Sequence, residues 1–323
     1  MLFLNSAKEK NQPFDEVVDV SDWVIDDYAG IYPKGARDKY ALFCPSDTKY
    51  NFLIRDKTGK YLHRYLYKLS FKRYPEQFWI EIAAYRIGKI VKVNVPPAFV
   101  AINSKENTCG ALIEWFFVEY PRSRKQGYKD GGQIMKKWIP DFDSKKGTQH
   151  NFQTIIKEIP HSWISVWAKY FLFDALIGNT DRHQENWGII SKIDGKSRKE
   201  WLAPAFDNGT SMGHEIMENN FKKYENADYL DKYIKNGLSH MKWDVVDTSR
   251  LNLLEYLEKF VSFYPKERRS LVKCINFPID EVENAIMDLT KYKVYIPLSE
   301  NRAKFMIKLI SKRQEMIKDI LGK

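Results

Sequence analysis

The most constraining feature of the sequence is a pair of short polar segments, each of which follows an apolar run. The first, residues 174–188, contains Asp181 and, five positions later, Asn186. The second, residues 206–209, reads Phe-Asp-Asn-Gly and contains Asp207. Phosphoryl transfer from ATP uses such a set: one carboxylate orients the attacking hydroxyl, and an Asn and an Asp hold magnesium on the phosphates. A chain that uses these residues together must fold so that both segments meet at one cleft.

The spacing from Asp181 to Asn186 matches the kinase catalytic loop, in which His-Arg-Asp is followed by four residues and an Asn. Here the triplet is inverted and reads Asp-Arg-His. Residues 176–188 resemble the catalytic loop of HipA-like Ser/Thr kinases, which share this inversion with phosphatidylinositol kinases, and residues 203–209 resemble their magnesium-binding segment. The resemblance implies a phosphotransferase that uses ATP and Mg²⁺.

The resemblance assigns roles to the residues of both segments. Asp181 is expected to be the catalytic base, or the group that orients the acceptor hydroxyl, and Asn186 and Asp207 are expected to be oxygen ligands of Mg²⁺. His183 has two roles open to it, as part of the hydrogen-bonded frame of the loop or as a catalytic contact to phosphate. Arg182 is expected to pair with a carboxylate. Any one of these residues alone would be explained as an ordinary turn residue, and only their joint spacing favours a site.

The nucleotide side of the site is predicted from the order of the remaining motifs. Lys68 ends a predicted strand and should reach the ATP phosphates while pairing with a helix carboxylate, Glu81, with Glu76 as the alternative. Residues 35–39 resemble the loop that covers the nucleotide, and they are not a Walker A loop because Ala-Arg follows the glycine in place of Lys-Ser/Thr. The loop residues expected to bind nucleotide are Gly35, Ala36, Arg37 and Lys39.

Residues 114–117, Glu-Trp-Phe-Phe, follow a predicted strand and are expected to form the hinge between two lobes. Backbone groups of Glu114, Trp115 and Phe116 would contact the adenine, although aromatic residues in such a run also pack into a core.

The expected fold class is α+β, a two-lobed protein-kinase-like fold with a β-rich N-lobe (residues 1–117) and a larger, mainly helical C-lobe (residues 118–323). In the N-lobe, periodicity and turn residues predict a hairpin turn at 56–59 and a helix over 76–89. In the C-lobe, they predict a helix over 162–177 capped by Ser162, and a hairpin before Asp207. Further strands are predicted at 40–44, 50–54, 64–69, 95–102 and 110–113, further helices at 249–263, 278–290 and 299–321, and residues 215–245 receive no assignment.

Bulk properties narrow the class of protein. A hydrophobic content of 44% allows a sizeable core, and no run approaches the roughly 20 apolar residues of a membrane span. Three scattered cysteines favour a reducing, cytoplasmic location over a disulfide framework. The net charge of +10 is interpreted as a solvated basic surface, because no signature of a nucleic-acid-binding fold accompanies it.

Three functions remain open at this stage. The first is a Ser/Thr protein kinase that acts on a protein substrate, as a toxin of a toxin–antitoxin system or as an effector. The second is a kinase of lipid or small-molecule hydroxyls. A membrane-surface enzyme of this kind should expose an amphipathic helix; residues 305–320 have such a pattern, although an apolar stripe of this kind more often faces a core. The third is an inactive binding module. Full-length HipA toxins carry an additional N-terminal subdomain, whereas only about 25 residues precede the nucleotide loop here, so the chain resembles the shorter members; an antitoxin or other regulatory partner is a further implication of the family.

Overall fold

The computed structural model describes residues 11–26, 37–54, 63–117 and 126–322. Its N-terminal part is built on one sheet with the strand order β1-β5-β6-β4-β3-β2. The central strands β3 to β6 pair antiparallel, and β1 joins β5 in parallel. The strands of this sheet are β1 (Val18–Asp19), β2 (Val24–Ile25), β3 (Lys39–Phe43), β4 (Arg64–Lys68), β5 (Ala98–Asn103) and β6 (Thr108–Glu114).

One helix, α1 (Phe78–Ile90), packs against this sheet. Alternation along β4 separates its side chains into two sets. Leu66 and Lys68 face the cleft described below, whereas Tyr65 and Tyr67 pack with Phe99 in a separate aromatic cluster. The register places Lys68 opposite Lys39 of β3 on one side and Ala111 of β6 on the other. The sheet therefore gathers cationic side chains at one end of its cleft-facing surface.

The C-terminal part is mainly helical and centres on α4 (Ile164–Ile177), eleven of whose fourteen residues are buried. A three-stranded sheet of order β7-β8-β9 lies beside it, and β8 and β9 form the hairpin that leads to Asp207. The bounds are β7 (Gln126–Asp130), α2 (Gly131–Trp138), α3 (Phe152–Ile155), β8 (Gly188–Asp194), β9 (Ser197–Leu202), α5 (Ala227–Lys235), α6 (Leu253–Phe263), α7 (Arg268–Ile275), α8 (Ile279–Met287) and α9 (Glu300–Gly322), with short 3₁₀ turns at His161–Trp163, Glu218–Glu225, Pro265–Glu267 and Asp288–Lys291.

Helix α4 ends within the first polar segment, after Ile177. Gly178 adopts a left-handed conformation (φ 72°) at the C-cap, and its amide donates to the carbonyl of Asp174. This termination turns the chain sharply, since a residue without Cβ adopts positive φ at little cost. Residues 179–187 therefore leave the helix as a loop instead of extending it. None of the helices in the described ranges is long and apolar enough to cross a membrane.

The α+β, two-lobed fold predicted from the sequence is confirmed, with several local differences. Residues 50–54 form turns and not a strand. Tyr50, Phe52 and Leu53 are all buried against the sheet, so the apolar run reflects packing of side chains and not strand pairing. Ser162 does not cap α4, which begins at Ile164 after a 3₁₀ turn. The turn predicted at 56–59 lies outside the described residues. Helices α2, α3, α5 and α7 were not predicted.

Candidate active site

Two buried side chains from the N-terminal sheet and its helix meet beneath the cleft. Lys68, the last residue of β4, places its Nζ 2.7 Å from Oε1 of Glu81 in the middle of α1. Both side chains are 3% exposed. The alternative partner, Glu76, is directed elsewhere and bonds Ser299 and Arg302. Of the two carboxylates considered from the sequence, Glu81 is the one in contact with the strand lysine.

Asp207 joins this pair from the second polar segment. Its Oδ1 lies 2.6 Å from Lys68 Nζ and 3.3 Å from Nη2 of Arg37, and the same Nη2 lies 2.8 Å from Oε1 of Glu81. Two cations and two anions thus alternate in one cluster. The amide of Asn208 donates to Oε2 of Glu81 at 3.0 Å, so the backbone that carries Asp207 is fixed to α1 as well.

The pKa values of the two acids follow from this cluster. Burial alone would raise the pKa of Asp207 and of Glu81, but Lys68 and Arg37 outweigh burial and hold both pKa values below the ordinary range. Both groups are therefore carboxylates at neutral pH. Asp207 has the left-handed φ of 55°, which is rare for a residue other than glycine, and its side chain remains 28% exposed. That combination directs an ionised oxygen ligand towards the cleft.

The loop that follows α4 is organised by hydrogen bonds between its own side chains and its backbone. The backbone amide of Asp181 donates to Oδ1 of Asn179 at 3.1 Å, and the carbonyl of Asp181 accepts a hydrogen bond from Nδ2 of Asn186 at 2.8 Å. Because the amide nitrogen of Asn186 is engaged, its Oδ1 is the atom that would coordinate a metal. His183 accepts a hydrogen bond at Nδ1 from the amide of Glu185 (3.1 Å) and also lines the cleft, so both of its predicted roles are compatible with the geometry.

Burial and the neighbouring Asp207 raise the pKa of Asp181, and His183 opposes this shift. A carboxylate whose proton affinity is raised is better suited to take a proton from a hydroxyl group.

Arg182 ties the two polar segments together. Its Nη2 and Nε donate to the two carboxylate oxygens of Asp174 at 2.7 and 3.0 Å. The same guanidinium donates to Oδ1 of Asn208 at 2.8 Å and to the carbonyls of Asn186 and Phe206. The expected pairing with a carboxylate is confirmed. Asp174 and Asn208 belong to the two segments but were not assigned this role from the sequence. Residues that only hold Arg182 in place have no characteristic spacing along the sequence.

The cluster opens into a cleft of about 360 Å³. On the sheet side its wall is apolar, formed by Leu66 and Ile113. On the opposite side, Phe206 and Tyr128 present aromatic rings, and Phe117 stacks on Tyr128 with centroids 4.6 Å apart. The polar lining comes from Lys39, Lys68, Asp130, Gln133, His183, Glu185, Asn186 and Asp207. An apolar slot that ends in cations and carboxylates suits a planar base attached to phosphates. The contribution of Tyr128 could not be read from the sequence.

The predicted hinge lies along this cleft, but Glu114 offers fewer groups for contact with a base than expected. Alternation along β6 turns the Glu114 side chain to the face of Tyr65, where it is buried, with Oε1 3.8 Å from His63 Nε2. Burial raises the pKa of Glu114 to about 8. The amides of Glu114 and Trp115 donate to the carbonyls of Pro97 and Arg64, so a base would bond other backbone groups of the segment.

Of the remaining predicted nucleotide ligands, the structure describes Lys39, Trp115 and Phe116. Lys39 lines the cleft, and burial together with the nearby Lys68 lowers its pKa to about 8. The ring of Phe116 packs on Phe206 at 5.1 Å between centroids, and that of Trp115 on the guanidinium of Arg64 at 4.6 Å. Gly35 and Ala36 lie outside the described residues.

The site offers oxygen ligands for a magnesium ion. Asp207 provides an ionised carboxylate and Asn186 a carbonyl oxygen, and both line the same cleft. Within the described ranges, no group of three or more His, Cys, Asp or Glu side chains is arranged to hold a metal. Two oxygen ligands fit the way Mg²⁺ is usually held, by one or two protein groups together with waters and substrate phosphates.

A β-rich lobe with a Lys–Glu pair, joined to a helical lobe that carries the two polar segments, defines the protein-kinase-like class of fold. The family model of the HipA-like C-terminal domain matches residues 31–260, and the chain belongs to this family.

One of the matching solved structures supports the same fold. The Helicobacter pylori proinflammatory kinase CtkA superposes with a TM-score of 0.71 at 20% identity, over 95% of this chain and 96% of that one. HipA of Shewanella oneidensis MR-1, solved with HipB and operator DNA, gives a TM-score of 0.47 at 14% identity, over 91% of this chain and 67% of that one. The Golgi casein kinase gives 0.43 at 12%, over 95% and 74%. No curated protein matches the sequence.

Proposed function

We propose that the protein is an ATP- and Mg²⁺-dependent Ser/Thr protein kinase. The observation that carries the proposal is that the Nζ atom of Lys68 lies 2.7 Å from Oε1 of Glu81 and 2.6 Å from Oδ1 of Asp207. These residues come from β4, α1 and the segment after β9, and nothing in local structure requires them to meet. Their convergence at the floor of a cleft that also holds Asn186 supports a site for a metal-bound nucleoside triphosphate.

In the proposed reaction, the base lies in the apolar slot and the phosphates lie over Lys68. Asp181 orients the acceptor hydroxyl and takes its proton while the hydroxyl oxygen bonds to the γ-phosphorus. The bond from that phosphorus to the bridging oxygen breaks, and ADP leaves with the electron pair. Mg²⁺, held by Asn186 and Asp207, would neutralise the charge on the phosphate oxygens. The residues of the chain thus supply orientation, charge and one proton acceptor.

A protein acceptor is favoured over a membrane lipid by the packing of α9. The apolar stripe that would bind a membrane is buried in the helical core, and Phe305, Met306 and Leu309 are each no more than 4% exposed. The stripe therefore gives no support to a membrane-surface enzyme. Action in the reducing cytoplasm fits the three cysteines, Cys44, Cys109 and Cys274, whose thiols are all buried. Only the family resemblance points to a toxin role with an antitoxin partner.

Incubation of the purified protein with γ-labelled ATP and Mg²⁺, with and without a cell lysate, tests the proposal. Label should appear on protein Ser or Thr, and Asp181→Ala should abolish it while nucleotide binding is retained. Asp207→Ala should also weaken binding of Mg²⁺-ATP. Asp22→Ala, at a position 82% exposed on the surface, is the control and should behave as the wild type.

Three results would contradict this function in different ways. Label that persists at the wild-type rate in Asp181→Ala would reject the assigned site. Nucleotide binding with label only on lipid or small molecules would replace the protein acceptor. A protein that binds no nucleotide would be a binding module on a kinase fold.

A further inference from the structure

Helix α1 is held from behind by a segment of the C-terminal part, residues 285–302, here called the brace. At 3.6 residues per turn, Trp79 and Arg86 lie two turns apart on one face of α1, whereas Glu81 points to the opposite face. Ten of the thirteen residues of α1 are buried. The helix that presents Glu81 to Lys68 is therefore covered on its far side by the same chain.

Arg86 makes three hydrogen bonds to the brace. Its Nη1 donates to the carbonyl of Ala285 at 2.9 Å and to Oδ2 of Asp288 at 3.0 Å. Its Nη2 donates to the hydroxyl of Tyr292 at 3.1 Å. The Arg86 side chain is only 14% exposed. Hydrogen bonds from a charged, largely buried donor are stronger than neutral ones, so these contacts fix the second half of α1.

Two more contacts fix the beginning of α1. The indole Nε1 of Trp79 donates to the carbonyl of Ile296 at 3.0 Å, and the ring itself is fully buried. The carboxylate of Glu76, just before the helix, accepts from the amide of Ser299 at 3.0 Å and lies 3.5 Å from Nε of Arg302. The brace thus holds α1 at three points along its length, all away from Glu81.

The brace also reaches the sheet and the segment after Asp207. The hydroxyl of Tyr292 donates to the carbonyl of Gln12 at 2.7 Å, and the side chain of Gln12 bonds both backbone groups of Val100 in β5. At its other end, Arg302 donates to the carbonyls of Gly213 and Ile216 at 2.9 and 2.6 Å. One element therefore supports both the helix that carries Glu81 and the segment that carries Asp207.

We propose that residues 285–302 are positioning residues for the active site, which keep Glu81 and Asp207 in register on Lys68. The inference rests on the proposed function and extends it. Lys68 satisfies two carboxylates at once, and it can do so only while α1 and the segment after β9 hold a fixed separation. The brace contacts both of these elements, and none of its residues belongs to the cluster or to the cleft lining formed by the described part of the chain. It therefore acts through geometry, in the manner of supporting residues around a preorganised site.

The test compares Arg86→Gln with the wild type by two independent readouts. Amide hydrogen exchange over residues 78–90 should accelerate, and the KM for Mg²⁺-ATP should rise roughly three- to tenfold, as expected when one charge-assisted network is lost. Arg86→Lys should recover much of both effects. Arg268→Gln is the matched control, because Arg268, like Arg86, donates to backbone carbonyls, here those of Ile320 and Leu321 in α9, but does not take part in the brace. It should leave exchange in α1 and the KM unchanged.

A double variant with Glu81→Gln shows whether the brace acts through the Lys–Glu pair. Removal of Arg86 should then cost little further nucleotide affinity, since effects on one coupled network are not additive. Additive losses, or an Arg86→Gln protein with unchanged exchange in α1, would overturn the inference. If Arg86→Gln does not fold, Asp288→Asn, which alters the 38% exposed partner, carries the same predictions. Amide hydrogen exchange can be measured without enzyme activity. A protein that failed to bind ATP would therefore refute the proposed function, while exchange in α1 would still show whether the brace holds the helix.

Discussion

The Nζ atom of Lys68 lies 2.6 Å from Oδ1 of Asp207 while it also contacts Glu81 at 2.7 Å. The lysine therefore neutralises the carboxylate assigned to magnesium as well as the one on α1. Arg37 adds a second cation to both acids. Because the cluster already contains balanced charges, removal of either cation should affect nucleotide binding and folding stability together.

Lys68→Met is expected to lower the rate of phosphoryl transfer by on the order of 100-fold or more, as for loss of one preorganised charge at a reacting group. It should also lower the free energy of unfolding, because the buried Glu81 loses its closest partner. Steady-state kinetics and thermal melting measure the two effects. Lys105→Met removes a lysine whose ion pair with Asp22 is 66% exposed on the lysine side and should change neither. Normal transfer by Lys68→Met would show that the cluster is structural only.

Arg182→Gln is expected to destabilise the protein by about 3–5 kcal/mol, the usual cost of removing one partner of a buried ion pair. Asp174 would keep a buried carboxylate without its guanidinium, and the link between the two polar segments would be lost. Urea denaturation compares this variant with Arg198→Gln, which breaks a solvent-exposed pair with Glu200 and should cost at most about 1 kcal/mol. Equal losses in the two variants would argue against the tie between the segments.

Glu114→Gln tests the pKa of the buried hinge carboxyl. In the unfolded chain this group loses its proton near its ordinary value of 4.5, and in the folded protein near 8. Between these values the folded state binds the extra proton, so wild-type stability should fall as pH rises from about 5 to 8. Glutamine stays neutral, so the variant should lose this decline and be more stable than the wild type at pH 8 by on the order of 1–3 kcal/mol.

Melting curves of both proteins across this pH range make the comparison. The groups that face the carboxyl are His63, at 3.8 Å, and the neighbouring Tyr65 and Tyr85. Burial raises the pKa of both tyrosines. A parallel pH dependence in wild type and variant would assign the decline to another residue.

The order of the site elements could be predicted from the sequence, because each carries a local signature. Lys68 ends an alternating run, Glu81 lies within helical periodicity, and Asp181 precedes Asn186 at a fixed offset. Such signals depend only on neighbouring residues. They state which side chains exist on which element, and the family resemblance supplied the expectation that the elements converge.

What could not be predicted depends on contacts between distant residues. Arg37 and Asp207 meet although they are 170 positions apart, and Arg302 reaches Gly213 from α9. An arginine in a basic sequence has no spacing that reveals its partner. The run at 50–54 was assigned to a strand for the same reason, since burial of its side chains produces an apolar pattern whether or not the backbone pairs.

Gly178→Ala tests whether the end of α4 sets the position of the catalytic loop. Gly178 has a φ of 72°, and an added Cβ would lie 2.8 Å from Nη2 of Arg313, whose Nη1 donates to the carbonyl of Ala175. Gly195→Ala is the matched control, because Gly195 also has a positive φ (62°) but no atom within 4 Å of an added Cβ. The control should lose about 1–2 kcal/mol from backbone strain alone.

Gly178→Ala should lose more than the control, because it adds a clash with a fully buried guanidinium, and its transfer rate should fall as Asp181 is displaced. Chemical denaturation and kcat measure the two effects. Since the backbone cost is shared, the difference between the variants isolates the contact with Arg313. Equal stability losses and equal rates would mean that α9 does not constrain the loop through this contact.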